Sequence, residues 1–382
     1  MRTMTALGIA VFIVGLTSAA SGQIHVTSVP GDTVQFSSSA ACAKCHRDIY
    51  KYWKDSLHAK ALEDYIFQAA FMMALKVQGD QVRALCLGCH SPSTRVTGDI
   101  MLKQPISSEA ITCDFCHRIT SVSLENAGNK VTITTGAEKY GPLEPGTRTD
   151  SHPSAQSGLF EKSEFCAACH QWTNSHGIAI FDTYREWLDG PFPARHTHCQ
   201  DCHMPLVEGS IVSDRPNEKT QQINSHNLAG GHSIEQVASA ARVEIITVTE
   251  VPGGLQAIVE VSNVGSGHMI PTGIPSRELV LHVQLLDQKN LAVETREHVF
   301  KRIITDAQHN ELLTDADIIL NGALVSKDNR IPPGGSVRIP FNLAAAHGKR
   351  YLVRATLRYR YRPLVIKEEE IAIEMGTDSQ RP

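Results

Sequence analysis

The second half of the chain alternates apolar and polar residues in short runs, which is the pattern of half-buried β-strands. Glycines, prolines and short polar stretches separate these runs, as turns between strands do. The predicted strands cover residues 243–251, 255–261, 279–286, 337–341, 352–361 and 364–373. This pattern predicts an antiparallel β-sandwich of immunoglobulin-like type, with a small barrel as the alternative.

The first half has little regular periodicity. Residues 59–76 are an exception, because Leu62, Ile66, Ala69, Ala70 and Met73 recur at helical spacing and predict one helix. Elsewhere we expect short helices joined by long loops, and a short strand over residues 131–134.

The N-terminus begins with the basic residue Arg2, continues with an apolar run over residues 6–16, and then has small residues up to Gly22. The run is too short to cross a bilayer, which takes about 20 apolar residues. It predicts a signal peptide over residues 1–22, cleaved near Gly22 and Gln23, and therefore a periplasmic or extracellular protein. An uncleaved membrane anchor is the alternative.

Composition excludes several classes of protein. The chain has 382 residues, of which 42% are hydrophobic and 20% charged, so a mainly disordered state is excluded. Its 36 Lys and Arg against 40 Asp and Glu give a formal charge of −4. A nucleic-acid-binding protein would need a strongly basic face, so we expect no nucleic-acid partner.

All ten cysteines belong to one repeated motif. They form five Cys-x-x-Cys pairs, and a histidine follows each pair directly. In chain order, motifs 1 to 5 are Cys42/Cys45/His46, Cys86/Cys89/His90, Cys113/Cys116/His117, Cys166/Cys169/His170 and Cys199/Cys202/His203. Cys-x-x-Cys-His is the attachment motif of c-type haem, in which two thiols bond to one porphyrin edge and the histidine binds the iron. The motifs predict five covalent haem c groups.

Three other uses of cysteine fit this pattern less well. Disulfides require no histidine after each pair. Zinc sites built from four ligands cannot be assembled evenly from five pairs, and they leave the five histidines without a role. Thioredoxin-like redox pairs are not repeated five times in one chain.

The cysteines also divide the chain, because none occurs beyond Cys202. We predict an α+β protein with a pentahaem domain over residues 23–238 and a β-sandwich domain over residues 239–382. With so few residues for each haem, the porphyrins themselves must supply much of the buried apolar surface of the first domain.

Several segments around the motifs resemble a known family. They include Trp53 and residues 56–59 after motif 1, residues 183–187 after motif 4, Met204 and Pro205 after motif 5, and residues 225–232. Together they resemble the multihaem cytochromes c that include the tetrahaem cytochromes of ammonia oxidisers and hydroxylamine-oxidoreductase-like proteins. Residues 267–278 resemble the start of a β domain appended to some of these proteins.

The resemblance implies that most irons are bound by two histidines, with the second, distal histidine supplied from elsewhere in the chain. By position, the candidates are first His58, His152 and His226, then His232 with His196 or His198, and then His268. This chain departs from the tetrahaem members because it has five motifs. It also lacks the Cys-x-x-Cys-Lys site of nitrite-reducing relatives.

Three functions remain open at this stage. The first is electron transfer between redox proteins, such as a quinol-oxidising enzyme, a terminal reductase or other cytochromes, with at most peripheral membrane contact. The second is an oxidoreductase with one open haem that acts on a small nitrogen or sulfur compound, with Tyr140, Tyr184 and Arg185 as proton donors. The third is a subunit of a larger complex or filament, assembled through the β domain.

Overall fold

The structure, a computed structural model, describes residues 23–32, 35–125, 130–144, 151–213, 220–361 and 370–382. The predicted signal peptide lies outside these residues. The described chain mixes helices and strands, and we call residues 23–238 the haem half and residues 239–382 the β half.

Short helices dominate the haem half. They are α1 (Ser39–Cys42), α2 (Arg47–Trp53), α3 (Tyr65–Gln78), α4 (Gln81–His90), α5 (Thr94–Thr97), α6 (Cys113–Cys116), α7 (Ser163–His170), α8 (Thr183–Leu188), α9 (Cys199–His203) and α10 (Ile234–Ala240). The longest, α3, begins at Tyr65 and not at residue 59 as predicted. Asp64 accepts hydrogen bonds from the backbone N–H groups of Ile66 and Phe67, so it caps the helix there.

The strands of the haem half are also short. They are β1 (Gln23–Ser28), β2 (Ile119–Glu125), β3 (Lys130–Thr135), β4 (Lys139–Gly141), β5 (Ser154–Gln156), β6 (Trp172–Thr173), β7 (Ala179–Phe181), β8 (Leu206–Gly209) and β9 (Gln221–Asn224). The strand predicted over residues 131–134 is β3, which pairs antiparallel with β2 and parallel with β1.

The β half contains longer strands. They are β10 (Ala241–Val251), β11 (Gly254–Asn263), β12 (Arg277–Leu286), β13 (Ala292–Phe300), β14 (Arg302–Thr305), β15 (Leu324–Asp328), β16 (Ser336–Ala344), β17 (Leu352–Tyr361) and β18 (Ile371–Gln380). One helix, α11 (Asp315–Asn321), lies between β14 and β15. Strands occur at five of the six predicted positions. Of the sixth, residues 371–373 belong to β18, and residues 364–369 lie outside the described residues.

Most strands of the β half belong to two antiparallel sheets. One has the order β10-β11-β16 and the other the order β13-β12-β17-β18. Their inward side chains share one hydrophobic cluster, to which Ile66, Trp172 and Ile180 of the haem half also belong. The two halves of the chain therefore pack on a common core.

Large buried side chains are concentrated in the β half. Of the twelve largest fully buried side chains among the described residues, eight lie there, including Phe300 and Leu281. The haem half has a sparser side-chain core than the β half. This is the distribution expected if porphyrins supply apolar surface in the haem half.

Candidate haem sites

The five motifs lie on helical turns. Motifs 2 to 5 end on or just after α4, α6, α7 and α9, and motif 1 begins at Cys42, the last residue of α1. Residues three apart lie on the same side of a helical turn, so the two cysteines of each motif present their thiols together. All ten cysteines are described, and none forms a disulfide.

A backbone carbonyl orients four of the five motif histidines. The carbonyl oxygen accepts a hydrogen bond from Nδ1 of the ring, so Nε2 carries no proton and can bind a metal. The Nδ1–oxygen distances are 2.6 Å for His46 and Ile211, 3.0 Å for His90 and Ala61, 2.7 Å for His117 and Tyr140, and 2.5 Å for His203 and Ala229.

Four motif histidines face a second histidine at almost the same distance. The ring centres are 6.3 Å apart for His46 and His152, 6.3 Å for His117 and His226, 6.2 Å for His170 and His58, and 6.4 Å for His203 and His268. All four partners were candidates from the sequence. The partner of His203 comes from the loop between β11 and β12, so the β half contributes to this site.

This separation matches one iron between two imidazoles. A ring nitrogen lies about 2 Å from a bound metal and roughly 1 Å from the centre of its own ring, which gives ring centres about 6 Å apart. Haem iron with two axial histidines therefore fits each pair.

The partner histidines have the chemistry of metal ligands. Nδ1 of His226 lies 2.8 Å from the carbonyl oxygen of Asn224, and Nδ1 of His268 lies 2.9 Å from that of Met269. Burial, with a smaller contribution from neighbouring histidines, lowers the pKa of His58 to about 3 and that of His226 and His268 to about 4. Each ring is therefore neutral at pH 7, which is the form that binds iron.

His90 of motif 2 has different surroundings. The Phe67 ring stacks on it with ring centres 3.7 Å apart. Among the described residues, which include all eighteen histidines, none faces His90 at the spacing found in the other four motifs. Phe67 is an apolar residue, and no feature of the sequence connected it with the site of motif 2.

The other candidate histidines have different contacts. Nδ1 of His198 lies 3.3 Å from the backbone nitrogen of Ser163, and the His198 ring packs against Trp187. His196 ends a short turn with φ of 52°. The His232 ring centre lies 6.2 Å from that of Tyr361.

Two of the three candidate proton donors, Tyr184 and Arg185, have side-chain partners. The backbone carbonyl of Tyr140 accepts a hydrogen bond from Nδ1 of His117. The Tyr184 hydroxyl donates to Glu164 over 3.3 Å. Burial raises the pKa of Tyr184 to about 12. Arg185 forms an exposed ion pair with Asp189.

Thiols of different motifs also meet. Cys42 of motif 1 contacts Cys113 of motif 3, Cys89 of motif 2 contacts Cys169 of motif 4, and Cys166 of motif 4 contacts Cys199 of motif 5. Motif 4 therefore meets two other motifs through its thiols.

Comparisons with known proteins show that this chain is similar to multihaem cytochromes. The family model described as cytochrome c554 and c-prime matches residues 41–118, which contain motifs 1 to 3. Cytochrome c-554 of Nitrosomonas europaea is 27% identical over 176 residues, which are 44% of this chain and 69% of the relative. The chain is a multihaem cytochrome c. A penta-heme cytochrome c552 from Thermochromatium tepidum has the same fold, with a TM-score of 0.74 at 22% identity, over 91% of this chain and 99% of that structure.

Haem c is therefore supported as the cofactor of this multihaem cytochrome, and electron transfer is consistent with it. The fold of the penta-heme relative extends over both halves of the cytochrome, including the β half. Among the described residues of the cytochrome, no helix combines the length and the apolar character needed to cross a membrane.

Proposed function

We propose that the chain is an exported pentahaem cytochrome that carries electrons between redox proteins. Haem iron supplies one-electron redox chemistry at each site. The observation that carries the proposal is the common spacing of 6.2–6.4 Å in four histidine pairs. An iron with two protein ligands has no open position for a substrate, so it is suited to electron transfer.

The proposed ligand pairs are His46 with His152, His117 with His226, His170 with His58, and His203 with His268. Burial lowers the pKa of five of them, which supports the assignment: His58, His117, His170, His226 and His268. Hydrogen bonds from Nδ1 to backbone carbonyls support it for His46, His117, His203, His226 and His268. We assign no iron-binding role to His196, His198 or His232, whose contacts are with other side chains and backbone.

The contacts between thiols support an order for the five sites. Motif 1 neighbours motif 3, and motif 4 neighbours both motif 2 and motif 5. Phe115 inside motif 3 and Ala168 inside motif 4 belong to one hydrophobic cluster, which connects motif 3 with motif 4. We propose that the sites form a continuous line in the order 1, 3, 4, 5, with motif 2 as a branch from motif 4.

The exposure of the cysteines supports entry and exit at the ends of this line. Cys45 of motif 1 and Cys202 of motif 5 are exposed, whereas the other eight are partly buried. We propose that redox partners approach these two ends.

We also propose that residues 23–238 and 239–382 are the two domains and that the second is an immunoglobulin-like sandwich. Residues 1–22 direct export in this proposal.

The ligand assignment is tested by His58→Ala with spin-state spectroscopy. Removal of this imidazole leaves His170 as the single axial ligand, so one haem in the chain should change from low spin to high spin. His176→Ala is the matched control, because His176 lies on an exposed turn. An unchanged low-spin spectrum in His58→Ala refutes this pair.

A second function is favoured by the surroundings of His90. Among the described residues, Phe67 and not a second histidine contacts its ring. We propose that motif 2 holds a haem with an open axial position, available to a small nitrogen or sulfur compound. Carbon monoxide added to the reduced protein should then change the spectrum of one haem in five, and no change would exclude an open site.

A further inference from the structure

A buried polar cluster lies where the β half meets the haem half. It contains Arg277 at the start of β12, Tyr359 and Tyr361 on β17, and Asp315 at the start of α11. The Tyr361 hydroxyl donates to Oδ2 of Asp315 over 2.5 Å, and the Ser276 hydroxyl donates to Oδ1 of the same carboxylate over 2.5 Å. The Asp315 carboxylate therefore already has two donors.

Two donors in this cluster lack an acceptor. Nε of Arg277 and the hydroxyl of Tyr359 are both buried without a hydrogen-bond partner among the described residues. Tyr359 is only 5% exposed. A Cβ added to Gly231 would lie 3.0 Å from the Tyr359 hydroxyl and 3.2 Å from Nη1 of Arg277, so the hydroxyl and the guanidinium group approach the same point.

The nearby carboxylates do not complete the cluster. Asp315 and Asp64 are the acidic residues that act electrostatically on Arg277. Asp64 accepts from two backbone N–H groups at the start of α3, and Asp315 is bonded to Ser276 and Tyr361. Nη1 of Arg277 has only a long contact of 3.4 Å to the carbonyl oxygen of Thr272. A buried guanidinium and hydroxyl without acceptors are costly, so the cluster favours a bound acceptor, and the positive charge of Arg277 favours an anionic one.

The position of Arg277 indicates which anion. Residues 229–231 link Arg277 to a proposed haem site, because the Ala229 carbonyl accepts from Nδ1 of His203 over 2.5 Å and Gly231 faces Nη1 of Arg277. The charge of Arg277 also acts on His170 and His268, which belong to two different proposed haems. Each haem carries two propionate carboxylates, and a guanidinium is the side chain best suited to bind a carboxylate.

We propose that Arg277 and Tyr359 bind a propionate carboxylate of a haem. This haem is either the one bound by His170 or the one bound by His203 and His268. The proposal rests on the haem attachment stated under the proposed function. A positive charge beside the propionate favours the reduced iron, because reduced iron carries one positive charge less than oxidised iron. The site therefore raises the reduction potential of that haem.

Tyr359→Phe distinguishes a bound from an unpartnered hydroxyl. If the hydroxyl has no acceptor, its removal leaves stability equal or higher; if it donates to a propionate, removal lowers both the thermal midpoint and one reduction potential. The measurement is a potentiometric titration of the five-haem protein followed by its absorption spectrum, together with thermal unfolding. Tyr361→Phe is the matched control, because its hydroxyl donates to Asp315 and should leave all potentials unchanged.

Arg277→Gln removes the charge itself. We expect the reduction equilibrium of one haem to change on the order of tenfold, about 59 mV for one electron, toward lower potential. Arg277→Lys keeps the charge and should shift that potential less.

Several outcomes overturn the proposal. Unchanged potentials in both Tyr359→Phe and Arg277→Gln, in protein with five covalent haems, overturn this inference alone. A saturable shift of a wild-type potential on addition of acetate or nitrate, absent in Arg277→Gln, shows that the site takes a free anion instead. A wild-type chain with fewer than five covalent haems by mass spectrometry overturns the proposed function, and this site with it.

Discussion

At the scale of single residues, the haem motifs are supported by polar contacts that the motif itself does not contain. Four motif histidines donate Nδ1–H to carbonyl oxygens from distant parts of the chain, such as Ile211 for His46. A carbonyl acceptor can come from any residue type, so these partners left no signal in the sequence. The cysteines and histidines of the motifs were predictable because they must be adjacent in the chain.

Asp114, inside motif 3, has a structural role that can be measured. Its buried carboxylate accepts from Nε of Arg118 over 3.2 Å, from Lys139 and from the backbone N–H of Ser37 over 2.5 Å. Asp114→Ala leaves two largely buried cations without a counter-charge, which we expect to cost about 3–5 kcal/mol of unfolding free energy. Denaturant titration measures this loss.

The control for Asp114→Ala is Asp189→Ala, which removes the carboxylate of an exposed ion pair with Arg185. It should change stability little, because solvent screens exposed ion pairs. Equal losses in the two variants would contradict the structural role of Asp114.

At the scale of elements, the strands of the β half were easier to predict than the helices of the haem half. Alternating apolar residues identified β10, β11, β12, β16 and β17 because one face of each strand is buried. Strand β13 was missed since its side chains are mostly exposed and its apolar positions do not alternate. The start of α3 depended on the capping residue Asp64, which apolar periodicity does not detect.

The loop between β11 and β12 has a functional consequence at this scale, because it brings His268 to His203. We predict that His268→Ala changes one haem to high spin and leaves the other spin states unaltered, as measured by electron paramagnetic resonance. His282→Ala, on strand β12, is the control. A protein with the wild-type spectrum after His268→Ala would show that the β half supplies no iron ligand.

At the scale of the whole molecule, polar contacts as well as the shared hydrophobic cluster join the two halves. Glu186 on α8 accepts from Nη1 of Arg330 over 2.5 Å and from the Thr272 hydroxyl over 2.6 Å. The side chains of Glu186 and Arg330 are only 5% and 6% exposed. The β half is therefore connected to the haem half through a buried ion pair.

Arg330→Met tests this connection. It leaves the Glu186 carboxylate buried without its cation, and we expect a loss of about 3–5 kcal/mol, measured as a lower thermal midpoint of the whole chain. Arg338→Met is the matched control, since Arg338 forms an exposed pair with Glu260 within the β half and should have little effect. Similar midpoints for both variants would mean that the buried pair does not stabilise the junction.

The sequence by itself determined the cofactor class, the number and position of the attachment motifs and the positions of most strands in the β half. These features are local, because covalent attachment to one porphyrin edge needs neighbouring residues, and a half-buried strand needs alternating ones. Only the tertiary structure decided which histidines face each other, such as His58 and His170, and that His90 faces none among the described residues. Such pairs depend on how distant segments pack, and no pattern along the chain encodes that distance.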